Sequence, residues 1–77
     1  MKLLVLSPEG EKLSCEVSAV ELPGAKGRFE VLPGHAPLLS SLVEGVISYD
    51  ADGQRNLLHA SAGFVRVEND IVTVCVD

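Results

Sequence analysis

Turn-forming residues interrupt the chain at short intervals, and their spacing is what most limits the fold. Residues 8–10, 23–27, 50–53 and 69–70 carry the Pro, Gly, Asp and Asn typical of turns, and an Asp-Gly pair supplies the positive φ of a tight hairpin. Most segments between them alternate apolar and polar residues, which is the period of a strand, and none sustains a helical period. The pattern predicts an antiparallel sandwich or barrel of about eight to ten short strands.

Several segments carry more specific expectations within this single domain, residues 1–77. Residues 2–7 are apolar on both faces, which predicts a strand in the middle of a sheet or covered on both sides. The apolar positions change parity near residues 18 and 19, which indicates a bulge or a break there. Residues 38–42 could form one helical turn or a short strand. Further strands are predicted at residues 45–49, 55–61, 63–68 and 71–76.

Composition and charge argue against several classes of partner. The chain is 47% hydrophobic but contains only one Tyr and two Phe, so we expect an aliphatic core. Its formal net charge is -5, and its six Lys and Arg residues are scattered, which argues against nucleic acid or anionic lipid as a direct partner. The apolar run at residues 3–6 is too short for a signal peptide or a membrane span. We therefore expect the protein to stay in the compartment where it is made.

A search for catalytic patterns finds no recognisable constellation. Cys15 and Cys75 lie in strand patterns without a secretion signal, which predicts reduced core thiols rather than a disulfide. Neither belongs to a CxxC or CxH pattern, and His35 and His59 lack metal-ligand spacing. A metal or thiol enzyme built from these four residues is kept as one hypothesis. Residues 24–27 lack the spacing and the following helix of a phosphate-binding loop, so no nucleotide site is predicted.

The stiffest part of the sequence is a loop in the middle of the chain. Residues 33–37 read Pro-Gly-His-Ala-Pro. Each Pro fixes φ and lacks a backbone donor, and Gly34 permits a positive φ, so a paired strand cannot continue through them. The ring of His35 either hydrogen-bonds the backbone and locks the loop or contacts a partner, and the two roles are compatible.

The residues around this loop match the pattern of a known protein family. Members of that family carry a glycine and a hydrophobic residue followed by Val-Leu-Pro-Gly-His-Ala-Pro-Leu-Leu. The matching segments here are Gly27, Phe29 and residues 31–39, then residues 61–65 and 69–74, with a fainter match at residues 5–9. The whole chain therefore resembles the amino-terminal domain of the epsilon subunit of rotary F-type ATP synthases, which is called delta in mitochondria.

The resemblance implies an all-β fold, an antiparallel β-sandwich of about ten short strands. It also implies a non-catalytic rotor subunit of the central stalk, packed against the gamma subunit and resting on the membrane c-ring. Such a subunit couples proton flow to ATP synthesis without performing chemistry. It is a peripheral part of the complex on the cytoplasmic face of the bacterial inner membrane. No cofactor, bound nucleotide, nucleic acid or membrane insertion is expected.

Individual contacts carry over by position. Ser7, His35 and Ser40 match family positions that lie near the gamma subunit. Arg28 matches a ring-facing position that is often acidic in the family. Glu30 shares a strand face with Arg28, which allows a local exchange of charge. The resemblance therefore implies Arg28 and Glu30 as c-ring contacts.

The sequence departs from the family in its length. Family members usually continue after the sandwich into a helical hairpin that inhibits ATP hydrolysis and in some members binds ATP. This sequence stops at Asp77, so we expect neither self-inhibition nor ATP sensing through it. The alternative hypothesis is a stand-alone β-domain that binds a small ligand or a protein through the central loop.

Overall fold

The computed structural model describes all of residues 1–77 and consists of nine short strands joined by tight turns and loops. No helix in it is long and apolar enough to cross a membrane. The strands are β1 (Lys2–Ser7), β2 (Gly10–Glu16), β3 (Ala19–Gly24), β4 (Gly27–Val31), β5 (Leu38–Leu42), β6 (Gly45–Ala51), β7 (Gln54–Ala60), β8 (Gly63–Glu68) and β9 (Ile71–Val76).

The strands form two layers of one strongly curled sheet. The first layer has the order β2-β1-β9-β8-β5, and the second has the order β4-β3-β6-β7. The layers join only where β5 meets β3, at the pair Gly24 and Leu42. There the Val43 amide donates to the Pro23 carbonyl and the Ala25 amide donates to the Ser41 carbonyl, each over 3.0 Å. All strand pairs are antiparallel except β1 and β9, which are parallel.

An aliphatic core holds the two layers together, as the shortage of aromatic residues predicts. Along β1, β8 and β9 the buried side chains alternate with side chains that point outward, whereas β3 is buried at every position except Glu21. Each fully buried Val, Leu or Ile contributes about 1.5–3 kcal/mol relative to an exposed side chain. The core consists of Leu3, Val5, Val17, Val20, Leu22, Val31, Leu42, Ile47, Ala60, Val65, Val67, Val72, Val74 and Val76.

The predicted all-β sandwich is confirmed, with nine strands where about ten were expected. β1 lies between β2 and β9, so it is an interior strand of the first layer, in keeping with its two apolar faces. The predicted break is also present, because β2 ends at Glu16 and β3 begins at Ala19. Residues 38–42, for which a helical turn or a strand was open, form strand β5.

Two details differ from the predictions. The strands extend further into the turns than expected, so β3 includes Gly24 and β6 includes Ala51. Cys75 was predicted as a core residue, but it is half-buried on the outer face of β9, out of phase with the buried Val72, Val74 and Val76. The prediction failed because β9 is apolar at nearly every position, so the sequence alone does not show which parity faces the core.

Candidate partner-binding surfaces

The central loop, residues 33–37, is a compact exposed turn between β4 and β5. Gly34 has φ +81°, a value that side chains disfavour. The His35 amide donates to the Leu32 carbonyl over 3.1 Å and closes the turn. All five residues of the loop are exposed. The loop therefore has a defined shape and is open to a partner.

The His35 ring is bonded to its own loop. Its Nδ1 lies 2.6 Å from the Ala36 carbonyl oxygen. A carbonyl can only accept a hydrogen bond, so Nδ1 carries the hydrogen. In the neutral ring, Nε2 is then an acceptor, and it has no hydrogen-bond partner within the chain. The ring thus bonds to the backbone of its own loop through Nδ1, and its Nε2 edge is left free for a partner.

Asp70 ties this loop to the rest of the domain. Its Oδ1 accepts a 2.8 Å hydrogen bond from the Gly34 amide, 36 positions away in sequence. Its carbonyl accepts a 3.0 Å hydrogen bond from the Lys2 amide at the start of β1. Sequence reasoning treated Asp70 only as a turn residue. The one available signal was that Asp can accept backbone hydrogen bonds from a turn position, which does not identify the distant donor.

The other two predicted gamma contacts lie apart from His35. The Ser7 hydroxyl donates to the Gly10 carbonyl and accepts from the Glu9 amide, each over 3.3 Å, in the β1–β2 turn. The loop approaches β1 at its opposite end, so the two sites are separated by about 17 Å, the length of a six-residue strand. Ser40 pairs with the buried Val65 and is itself half-buried. Ser7 and Ser40 lie on strands of the first layer and His35 lies in the loop between the layers, so the three residues do not form one compact cluster.

An apolar surface covers the outside of the first layer; we call it the apolar face. One row across four strands consists of Ser41, Phe64, Cys75 and Leu6. The next row consists of Leu39, Arg66, Thr73 and Leu4. Leu39 is 71% exposed and Phe64 is 49% exposed. Adjacent exposed apolar side chains of this size are typical of protein-binding surfaces.

The outside of the second layer is charged; we call it the ionic face. Arg28 on β4 donates through Nε to Glu21 on β3, and its terminal nitrogen lies 3.3 Å from the Ser48 hydroxyl. Ser48 is only 7% exposed, so this contact satisfies a buried polar group. Arg28 therefore pairs with Glu21 and not with Glu30, which is exposed and makes no ion pair.

A second ion pair lies on the same face. Arg55 Nε is 2.6 Å from Asp50 Oδ1 across the β6–β7 hairpin. The hydrogen bond to Asp50 and the charge of that carboxylate raise the pKa of Arg55, so the guanidinium stays charged. Leu57, on the same strand as Arg55, is 69% exposed and is the one large, strongly exposed apolar residue of this face.

The residues of the metal or thiol hypothesis are not brought together. His59 on β7 lies 3.8 Å from Glu44 in the second layer, whereas His35 precedes β5. No group of three or more His, Cys, Asp or Glu side chains has the arrangement of a metal site. Burial, with smaller contributions from Asp52 and Glu16, raises the pKa of the Cys15 thiol, and both cysteines are free. A raised pKa is the opposite of what a nucleophilic thiol requires.

Comparison with known proteins identifies the family. A family model described as the β-sandwich domain of the ATP synthase delta/epsilon chain matches residues 1–77. The ATP synthase epsilon chain of Desulfitobacterium hafniense is 45% identical over 75 residues, which cover 97% of this chain and 57% of the relative. That of Wolinella succinogenes is 42% identical over 78 residues, covering 100% of this chain and 60% of the relative. The chain thus spans somewhat more than half the length of these relatives.

Solved structures share the fold. A chain in the central stalk and c-ring structure of the Tetrahymena thermophila mitochondrial ATP synthase matches with a TM-score of 0.80 at 13% identity, over 97% of this chain and 61% of that one. A chain in the Euglena gracilis mitochondrial ATP synthase matches with a TM-score of 0.88 at 23% identity, over 96% of this chain and 48% of that one. At these identities the likeness concerns the fold, and the family model and the sequence relatives carry the assignment. The chain belongs to the family of β-sandwich domains of ATP synthase delta/epsilon chains.

Proposed function

We propose that this chain is a non-catalytic part of the rotor of an F-type ATP synthase and links the gamma subunit of the central stalk to the c-ring. The observation that carries the proposal is the family match over residues 1–77. The structural relatives come from assemblies described as containing the central stalk or the c-ring. In this role the domain transmits rotation between proton flow and ATP synthesis and needs no cofactor or nucleotide. Its place is peripheral, on the cytoplasmic face of a bacterial inner membrane.

The first layer is the proposed contact with the gamma subunit. Two of the three positions implied by the resemblance, Ser7 and Ser40, lie on its strands β1 and β5, and His35 lies in the loop that leads into β5. Between the ends marked by Ser7 and His35 lies the apolar face, with Leu39 and Phe64 strongly exposed. Burial of such side chains against a partner is favourable by about 25 cal/mol for each Å² removed from water. The apolar face therefore supplies binding energy, and the polar residues at its ends supply orientation.

The ionic face carries the proposed contact with the c-ring. Arg28 and Glu30 both lie on β4, in the second layer. Since the guanidinium of Arg28 is engaged by Glu21 and Ser48, its charge is largely used within the domain. Glu30 makes no such pair and is exposed. We therefore assign the unpaired charge at this contact to Glu30. Arg28 contributes a side chain that is held in place by its hydrogen bonds to Glu21 and Ser48.

A matched pair of substitutions tests the gamma contact. Leu39 and Leu57 are 71% and 69% exposed, have the same side chain, and lie on opposite outer faces. Leu39→Ser should weaken binding to a gamma-containing catalytic head about tenfold, the effect of losing a residue worth about 1.4 kcal/mol at an interface. Leu57→Ser should leave that affinity within about twofold of the wild type. Titration calorimetry and co-elution measure both.

These measurements test the rotor assignment and the position of the gamma contact separately. Failure of the wild-type chain to bind the head would contradict the rotor assignment. Equal losses from Leu39→Ser and Leu57→Ser would leave the assignment intact but remove the apolar face as the contact. Both variants should keep the free energy of unfolding within about 0.5 kcal/mol of the wild type, because both side chains are exposed.

A further inference from the structure

Asp70 lies where three separate segments of the chain meet. Its side chain reaches the central loop, its carbonyl anchors the start of β1, and its own position is the turn between β8 and β9. The hydrogen bond from the Gly34 amide to Asp70 Oδ1 is 2.8 Å long. It is the only hydrogen bond that joins residues 33–37 to a distant part of the domain, since the others lie within the loop or reach the adjacent Leu32.

The backbone at position 70 does not require an aspartate. Asp70 has φ 61° and follows Asn69 with φ 53°, the left-handed values of a type I′ turn. Glycine and asparagine adopt these values more readily than other residues. An aspartate here gives up some turn preference and gains a carboxylate that reaches the loop. The carboxylate accepts a hydrogen bond from the Gly34 amide through Oδ1, whereas its Oδ2 lies 3.7 Å from the Met1 amine, which is beyond hydrogen-bonding distance.

The loop depends on this contact because it has few others. Pro33 and Pro37 have no amide hydrogens to donate. The His35 amide and ring bond only to Leu32 and Ala36, within or next to the loop. These bonds set the internal shape of the loop but not its position against the sheet. The carboxylate of Asp70 sets that position.

We propose that Asp70 is a positioning residue of the gamma-binding surface: by accepting from the Gly34 amide, it fixes where the loop presents His35 Nε2. The proposal rests on the proposed function for the partner but not for the contact itself. Because Nδ1 donates to Ala36, the neutral ring offers Nε2 as an acceptor. The partner group that meets it is therefore a hydrogen-bond donor.

Two substitutions at Asp70 isolate the acceptor from the charge and the turn. Asp70→Asn keeps an oxygen acceptor and suits the left-handed backbone, but loses the charge. Asp70→Gly suits the same backbone and loses the acceptor. By amide hydrogen exchange in the isolated protein, Gly34 should exchange at least about tenfold faster in Asp70→Gly than in Asp70→Asn. That factor corresponds to about 1.4 kcal/mol, near the top of the range for the neutral hydrogen bond that Asp70→Asn retains.

Binding then tests whether the position matters to the partner. Asp70→Gly should weaken binding to a gamma-containing catalytic head about tenfold, and Asp70→Asn should restore affinity to within about threefold of the wild type. In a His35→Ala background, Asp70→Gly should cause little further loss, since the two residues act through one contact. A loss that persists in full in that background would overturn the proposal.

The possible failures are distinct. If the wild-type chain does not bind the head, the proposed function fails and the assignment to a gamma-binding surface fails with it. If the wild type binds and Asp70→Gly binds equally well, only the positioning role is overturned. If Gly34 exchange is the same in both variants, the hydrogen bond does not hold the loop and the proposal is also overturned.

Discussion

The two layers of the domain bury similar residues but present different surfaces to their surroundings. Inward, both contribute Val, Leu and Ile to one core. Outward, the first layer carries the exposed Leu39 and Phe64 around one ion pair, Arg66 with Glu68, whereas the second carries the paired Arg28 and Arg55. Successive side chains of a strand point to opposite faces of the sheet in both layers. The difference between the two surfaces therefore lies in the residues at the outward-facing positions.

The two outer surfaces differ in whether their side chains already have partners within the domain. On the ionic face, opposite charges are paired within the chain. A partner that replaced these pairs with its own would gain little binding energy. The exposed apolar side chains of the first layer are not covered by any other part of the domain, so their burial against a partner is favourable. The prolines, His35 and Asp70 border the unsatisfied surface. We infer that binding energy is concentrated on the first layer and that the second layer contributes charge.

The largest expected effect is a loss of stability when the close approach of β8 and β9, the strands that carry much of the apolar face, is disturbed at Gly63. A Cβ at Gly63 would lie 1.9 Å from the Cys75 carbonyl oxygen, which is backbone and cannot turn aside. Gly63→Ala should therefore separate β8 from β9 and lower the free energy of unfolding by at least about 2 kcal/mol. Ala62→Ser, one exposed position earlier, should change it by less than about 0.5 kcal/mol. Urea denaturation measures both, and equal stabilities would show that the strands adjust freely.

A smaller effect tests whether the ionic face is internally paired. Arg28→Glu would place a third carboxylate beside Glu21 and Glu30 and leave the Ser48 hydroxyl without its donor. We expect a loss of about 1 kcal/mol at low salt, because Arg28 and Glu21 are both partly exposed. The loss should shrink at high salt, where exposed charges are screened.

The reciprocal exchange is the control for that prediction. Combining Arg28→Glu with Glu21→Arg restores opposite charges at the same two positions and should recover most of the lost stability. A double variant that is no more stable than Arg28→Glu alone would mean that the pair contributes nothing. In that case the ionic face would be simply solvated.

The smallest effect concerns the thiol of Cys15. Burial raises its pKa above the ordinary value of 9.0, so less thiolate is present at neutral pH than in the unfolded chain. In a Cys75→Ser variant, Cys15 should react with a disulfide reagent more slowly when folded than when unfolded. Above the unfolded pKa the unfolded thiol ionises first, so stability should decrease slightly with rising pH in that window. A fast reaction at neutral pH would contradict the burial.

Much of the fold could be predicted from the sequence because strands of a two-layer sheet repeat every second residue. The strand predicted at residues 63–68 is present as β8, and its valines Val65 and Val67, two positions apart, are both buried. β9 and β1 were harder, since both are apolar on both faces. Their parallel pairing was not predicted, because alternation along a strand does not specify which strand lies beside it.

The site was predictable only in its local part. The loop and the His35 bond to backbone follow from residues adjacent in sequence. The partners of Arg28 and of Gly34 lie seven and 36 positions away and depend on how the layers fold. Glu30 is nearer to Arg28 in sequence than Glu21 is, yet Glu21 on the adjacent strand makes the ion pair. Contacts across strands thus require the register, which the sequence does not state.

The parallel pairing of β1 and β9 has a consequence for how the domain is made. The strand β1 lies between β2 and β9, so one of its two neighbours is about 65 residues later in the sequence of this domain. Until residues 71–76 leave the ribosome, Leu3 and Val5 lack the valines that cover them in the finished core. While residues 1–70 are being synthesised, the chain therefore holds an open apolar edge, and β9 closes it.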